Sequence, residues 1–331
     1  ILKQDALSIG ADLAVPQGVI VAKEKYVDAI LIGTNKHFNI LAKKELAQPF
    51  GLKELAKQLK TFVNSKIFPT KIMGIINAND DSFYENSRFL SNDAINKIKQ
   101  MIKDGANIID IGGLSSKPGS ISISPKQELL RVKPIIDEIN SQQLYKKVDF
   151  SIDSYQPLVV EYALKNGFTI VNDITGLQNN DIAKLTAKYN ATIVIMHMQG
   201  TPVSMQDNPQ YENIILDIDN FFQNQINKAI SYGIKKIILD VGIGFGKTLS
   251  NNLLLLKNIE HFKHFGYELL LGASRKSMID KISPSITNDR LAGTLAIHLQ
   301  SIKNGVSIIR CHDVFEHNQA IKTIEAIDNI S

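Results

Sequence analysis

The chain has 331 residues, 44% of them apolar, and a formal net charge of +4. This composition excludes a disordered chain, its length suits one large domain or one domain with a small appendage, and its lysines, spread without a basic block, argue against a nucleic-acid partner. A single cysteine, Cys311, excludes an intramolecular disulfide and fits a reducing compartment, and no apolar run reaches the roughly 18–20 residues that span a bilayer.

The start, "ILKQDALSIGADLAV", has no signal-peptide pattern, so a cytoplasmic location and no membrane partner are expected. It also opens without Met, so residues are expected to precede Ile1. "GVIVAKEKYVDAILIG" reads as two strands around a charged turn, and "GLKELAKQLKTFV" as an amphipathic helix with Leu52, Leu55, Leu59 and Phe62 on one face. Residues 1–66 therefore form a small α+β appendage, expected to pack on the main domain or extend an interface.

From about residue 70 to the end the pattern changes. Eight short β-branched runs recur: "KIMGIIN", "NIIDIGG", "VDFSID", "FTIVND", "ATIVIMHM", "KIILDVG", "YELLLGAS" and "VSIIRCHD". Helical segments separate them, among them 94–103, 126–139, 157–166, 182–189 and 214–232. Strands alternating with helices imply parallel pairing through right-handed crossovers, and runs apolar on both faces imply strands covered on both sides. Eight such units close naturally into an α/β TIM barrel, (β/α)8, over residues 67–331. On pattern alone a doubly wound open sheet is the alternative.

The glycine-rich stretch "LDVGIGFGKT" fits neither of two familiar phosphate motifs. A P-loop needs a glycine five residues before Gly246, where Val241 stands, and a dinucleotide fingerprint needs its third glycine one residue later. What remains is a buried strand that delivers Asp240 to its C-terminal end. Polar residues take the same place on other runs: Asn77, Asp110 and Gly112, Asp153, Asn172 and Asp173, His197, Arg310 and His312. Any one of these could be a helix cap, but the shared habit points to an active site at the C-terminal mouth of a barrel.

These motifs, in this order, resemble the dihydropteroate synthase family across roughly residues 70–330. "MGIINANDDSF", "DGANIIDIGGLSSKPGS", "FSIDSY", "IVNDITG", "IMHMQGTPVSMQ", "LDVGIGFGKT", "LGASRKS" and "IIRCHDV" are similar to its successive signatures. The resemblance implies a transferase of folate biosynthesis and a sulfonamide target. It would condense 6-hydroxymethyl-7,8-dihydropterin pyrophosphate with 4-aminobenzoate to give 7,8-dihydropteroate and pyrophosphate. It implies that Asp153, Asn172, Asp240 and Lys276 bind the pterin, since a buried carboxylate can take two N–H donors of its edge at once. It implies that Asn77, Lys117, Arg310 and His312 bind pyrophosphate, and that Ser116, Lys117, Pro118 and Ser277 meet aminobenzoate. Asn77, Lys117, Lys276, Arg310 and His312 would carry catalysis, with Mg²⁺ held at Asn77 and substrate phosphates. A homodimer through late barrel helices is implied as well. His197 reads as a pocket-wall histidine rather than a ligand, because an arylamine nucleophile needs no strong base.

Departures from the family pattern concentrate in two loops, 78–89 and 114–121. Asn79 and Asp80 stand for Thr-Pro, and Tyr84-Glu85-Asn86-Ser87 replaces a glycine-containing run. Leu114, Ser116 and Lys117 stand for Glu, Thr and Arg, and Val241 for Pro. These changes bear on aminobenzoate more than on pterin. They leave two alternatives, an inert pterin-binding paralogue and a pterin-binding corrinoid methyltransferase domain. The runs Ser274–Lys276 and Arg310–His312 favour the synthase.

Overall fold

The computed structural model describes residues 1–19, 27–63, 66–78, 87–114, 123–201, 205 and 208–330, with side chains 61 and 87–91 also left out. They divide into two compact units, one of residues 1–67 with 261–266 and one of 68–260 with 267–331.

The first unit holds α1 (Leu2–Ser8), β1 (Asp12–Ala14), β2 (Ile30–Ile32), α2 (Asn35–Glu45) and α3 (Leu52–Val63). β1 and β2 pair antiparallel with Leu13 opposite Leu31. Of the two strands expected in residues 18–33, the second is β2, and the run expected to form the first falls on residues 20–26. Those residues lie outside the described ones; the described partner of β2 is β1, whose Leu13 buries against Ala6 and Ala11. α2 starts on a capping box, the Thr34 hydroxyl accepting from the His37 N–H while His37 Nδ1 accepts from the Thr34 N–H. On α3, Leu52, Leu55 and Leu59 are half-buried around the buried Ala56, and Phe62 meets Phe38 edge-on at 6.1 Å.

The second unit alternates strand and helix throughout. In chain order it holds β3 (Lys71–Asn77), α4 (Ser87–Lys103), β4 (Ile108–Gly112), α5 (Pro125–Ser141), β5 (Asp149–Asp153), α6 (Pro157–Lys165), β6 (Ile170–Asp173) and α7 (Asn180–Lys188). There follow β7 (Thr192–Met196), α8 (Ile214–Ser231), β8 (Lys236–Asp240), α9 (Leu249–Lys257), β9 (Glu268–Leu271), α10 (Ser277–Ile282), α11 (Leu291–Lys303), β10 (Ile308–Cys311) and α12 (Val314–Asp328). The eight strands β3–β10 all pair in parallel, and the ring closes where β10 meets both β9 and β3. This closure settles the choice between barrel and open sheet in favour of the barrel.

Burial explains the apolar runs. Every residue of β4 and of β6 is buried, because each strand faces the barrel interior on one side and helices on the other. Met73, Ile108, Ile170, Val194, Ile238, Leu270 and Ile308 form one buried cluster drawn from seven strands. Each such side chain contributes about 1.5–3 kcal/mol when fully buried. Cys311 on β10 is fully buried, and that burial pushes its thiol pKa up. Among the described residues, no helix is long and apolar enough to cross a membrane.

Since all eight strands run the same way, their C-terminal ends share one rim. Asn77, Gly112, Asp153, Asp173 and Asp240 are each the last residue of their strand. The polar strand ends of the sequence thus meet at one mouth.

Candidate active site

The site is built from strand register first. Gly112 pairs with Asp153, and Asp153 with Asn172, so three strand ends stand side by side. Asp110, two residues earlier on β4, is fully buried. Arg310 on β10 binds both carboxylates: its Nε donates to Asp110 Oδ2 at 2.6 Å and its Nη2 to Asp153 Oδ2 at 2.7 Å. Asn172 Nδ2 donates to the same Asp110 oxygen at 3.0 Å. One guanidinium therefore serves two acids. Burial pushes the Asp153 carboxyl up while Arg310 pulls it back. Burial alone would lower Arg310, but Asp110 and Asp153 raise it above its ordinary value, which keeps it charged. The Oδ1 of Asp110 has no hydrogen-bond partner among the described residues.

Asp240 is held differently. Its Oδ1 accepts the N–H of Gly242 at 2.8 Å, two residues on, and its backbone carbonyl takes the N–H of His197. Gly242 has φ +67°, and a Cβ there would lie 2.0 Å from the His197 carbonyl oxygen, so the turn admits only glycine. Behind this turn Lys247 is buried. Its Nζ donates to His197 Nδ1 at 3.0 Å, the His197 carbonyl at 3.2 Å and the Phe245 carbonyl at 2.9 Å. Burial pushes Lys247 down to about 7 and Asp240 pulls it back. Its three acceptors match the three N–H bonds of the charged form. His197 is thereby fixed with its proton on Nε2, and burial lowers its pKa to about 2. It is a neutral brace of the wall, as its motif suggested.

The third part is the turn after β9. Arg275 sits in the left-handed region at φ +57°, a conformation costing a non-glycine residue about 1 kcal/mol. Several contacts hold it: its N–H donates to Thr294 Oγ1 at 2.9 Å, and its Nε and Nη2 grip Asp313 at 3.0 and 2.5 Å. Next comes Lys276, which donates to the Ile243 carbonyl and lies 4.4 Å from the centre of the Phe245 ring. Burial lowers Lys276 to about 8, Asp240 and Asp153 acting against that shift and Arg310 with it. Ser274 Oγ lies 2.9 Å from His312 Nδ1 and accepts the His312 backbone N–H at 3.3 Å. When the serine proton is donated to Nδ1, Nε2–H is the donor His312 offers. Burial lowers His312 to about 4, so it is a neutral donor rather than a cation.

The four residues assigned to pterin thus come together on the rim, Asp153 beside Asn172 by register and Lys276 within electrostatic reach of Asp240 and Asp153. Arg310, assigned to pyrophosphate, joins them through its bond to Asp153. Asn77 ends β3 and is exposed, and Ser277 opens α10, also exposed. Ser116, Lys117 and Pro118 lie outside the described residues, as do Asn79, Asp80 and 84–86 of the first loop. Among the described residues Asp173 serves its own turn, accepting from the N–H groups of Thr175 and Leu177 and from the Thr175 hydroxyl.

Two partners went unassigned in the sequence. Asp110 carried the same strand-end signal as its neighbours yet received no role. Lys247 stood in a failed P-loop match, and nothing in that stretch pointed to His197, 50 residues away.

Comparison with known proteins agrees with this geometry. Residues 73–312 match the pterin binding enzyme family. A bifunctional dihydropteroate synthase/dihydropteroate reductase of Helicobacter pylori is 42% identical over 329 residues, covering 99% of this chain and 87% of that one. The dihydropteroate synthase of Haemophilus influenzae is 37% identical over 82% of this chain and 100% of its own. A crystal structure of the Clostridium difficile dihydropteroate synthase in the presence of pteroic acid superposes with a TM-score of 0.72, at 41% identity over 78% of this chain and 97% of that one. The closed parallel barrel, the acids on its rim and these likenesses together show that this chain belongs to the pterin binding enzymes and, among them, to the dihydropteroate synthases, transferases of folate biosynthesis.

Proposed function

We propose the following division of work for the condensation of 6-hydroxymethyl-7,8-dihydropterin pyrophosphate with 4-aminobenzoate. Asp153, Asn172 and Asp240 take the N–H donors of the pterin edge, and Lys276 leaves the Ile243 carbonyl to donate to the ring acceptors. The arylamine nitrogen attacks the pterin methylene carbon, the carbon–oxygen bond breaks, and its electron pair leaves with pyrophosphate. Charge grows on that leaving group, so donors preset around it lower the barrier. Arg310 supplies a charge already fixed by Asp110 and Asp153, and His312 a neutral Nε2–H. Lys117, Ser116, Pro118 and Ser277 are assigned to aminobenzoate, with Lys117 also assigned to pyrophosphate. The observation that carries this reading is the convergence of Asp153, Asn172, Asp240, Lys276 and Arg310 on one rim.

A bound Mg²⁺ would neutralise charge on pyrophosphate. Asn77, exposed at the end of β3, offers an amide oxygen that fits an ion keeping few protein ligands and several substrate or water oxygens. We place the enzyme in the cytoplasm as a homodimer. The lone cysteine supports the first reading, and exposed Phe315 and Ile327 on α12 support the second.

The test is pyrophosphate release from the pterin pyrophosphate with and without aminobenzoate. Release that requires aminobenzoate, together with dihydropteroate, is expected. Normal pterin binding with no product would favour an inert binder instead.

A second activity follows from one observation: the Helicobacter pylori relative aligns over 99% of this chain, residues 1–66 included. Dihydropteroate reductase activity is the corresponding reading, and it needs a hydride donor of the reduced nicotinamide or flavin class. Dihydropteroate-dependent oxidation of such a donor, retained by the full chain, is the expected result.

A further inference from the structure

Two buried histidines lie behind the Lys276 turn and take no part in the reaction. His298 on α11 is fully buried and His317 on α12 nearly so. They form a chain of hydrogen bonds whose direction is fixed at both ends. At one end the Ala273 N–H donates to His298 Nε2 at 3.1 Å, so that nitrogen carries no proton. At the other, His317 Nδ1 lies 2.6 Å from the Asp313 carbonyl oxygen, which can only accept, so that nitrogen carries one. Between them His298 Nδ1 and His317 Nε2 are 2.8 Å apart. Only one arrangement satisfies all three contacts: both rings neutral, both protonated on Nδ1, and His298 donating to His317.

The chain ends on residues that matter. Ala273 begins the turn that carries Ser274, the left-handed Arg275 and Lys276. Asp313 grips the Arg275 guanidinium with its side chain while its carbonyl receives His317. The charged groups facing the pair are Lys276 on the turn, and Asp313 and Glu316 at the start of α12. Burial lowers both imidazoles, which accords with neutral rings.

We propose that His298 and His317 are positioning residues for the pterin site, a directed pair of neutral imidazoles that ties the turn 273–276 to α11 and α12 so that Lys276 faces Asp240. This rests on the pterin role given to Lys276 above. Protonating either ring would set donor against donor, at Ala273 or between the rings, and release the turn.

Two measurements test it. Long-range ¹⁵N correlation spectra of the unmodified protein at neutral pH should show both imidazoles protonated on Nδ1 with bare Nε2. Either ring found with its proton on Nε2 overturns the proposal without any variant. His298→Leu removes the acceptor of the Ala273 N–H, and binding of pterin pyrophosphate should weaken roughly tenfold, the size of one lost hydrogen bond. His298→Gln can still accept from Ala273 and should bind markedly better than His298→Leu. Equal melting losses in both variants, with pterin affinity unchanged in the folded protein, would make the pair merely structural and sink the idea. Asp240→Asn measured alongside separates the two readings. Normal pterin binding by that variant defeats the pterin assignment itself, while the imidazole spectra still decide the pair.

Discussion

Two ends of the same rim keep buried carboxylates ready for a ligand by opposite means. At the end of β8, Asp240 is held by its own neighbourhood: the N–H of Gly242, two residues away, and a glycine turn braced by Lys247. Across the mouth, Asp110 and Asp153 are held by Arg310, which lies 200 and 157 residues from them along the chain. The first device needs a particular backbone shape. The second needs a closed barrel, since β10 reaches β3 and β4 only when the ring is complete. Local shape should therefore fail gently and site by site, whereas loss of the guanidinium should unsettle fold and function together.

The largest effect expected is from Arg310→Met. It leaves two buried acids without their counter-charge, a change that costs about 3–5 kcal/mol in comparable pairs. Urea denaturation should show that loss. Titrations should show weaker binding of both phosphorylated and unphosphorylated pterin, because Asp153 loses its orientation. A variant as stable as the parent would erase the contrast between the two ends.

Next comes Gly242→Ala. Its Cβ would collide with the His197 carbonyl in a left-handed backbone, so the loss should be about 2–4 kcal/mol. Isothermal titration should show reduced pterin affinity, while thermal melting stays cooperative. Unchanged affinity would mean that the turn does not aim Asp240.

Lys247 gives a smaller effect with a distinctive sign. Its pKa is about 7 in the fold against an ordinary 10.5. Between those values the unfolded chain binds more protons, so stability should rise with pH across that window, by at most about 1.4 kcal/mol per pH unit. Lys276, lowered to about 8, acts in the same direction over the upper part. Denaturation curves of Lys247→Met should rise less steeply. A Lys247→Met curve that rises as steeply as the parent's would show that Lys247 keeps an ordinary pKa.

The smallest effect is kinetic. Lys276 loses its proton above about pH 8, so kcat/KM for pterin pyrophosphate should decline there. Lys276→Arg should push that decline to higher pH at reduced affinity. An identical profile in both proteins would remove Lys276 from the pterin contact.

The same local and non-local division explains what could be read without coordinates. All eight barrel strands were visible because a strand covered on both faces needs an unbroken apolar run, and runs such as "NIIDIGG" leave little else to form. Asp240 and its glycines were visible because their contacts lie within a few residues. The grip of Arg310 on Asp110 was not, since no local pattern encodes a partner 200 residues away. In the appendage, α2 escaped notice because His37 stands at the capping-box position where Glu or Gln would be expected. β1 escaped because three residues carrying one buried leucine make too short a pattern.

Cys311, the last residue of β10, lies between Arg310 and His312 in the chain and is fully buried. A thiolate is the reactive form, and both burial and the raised pKa deny it. The chain thereby carries a clock for its own opening. A disulfide reagent should label the native enzyme only as fast as β10 detaches, and ligands that tighten the rim should slow that labelling. The rate would report how often the strand bearing Arg310 leaves the ring, with no fluorophore and no engineered residue.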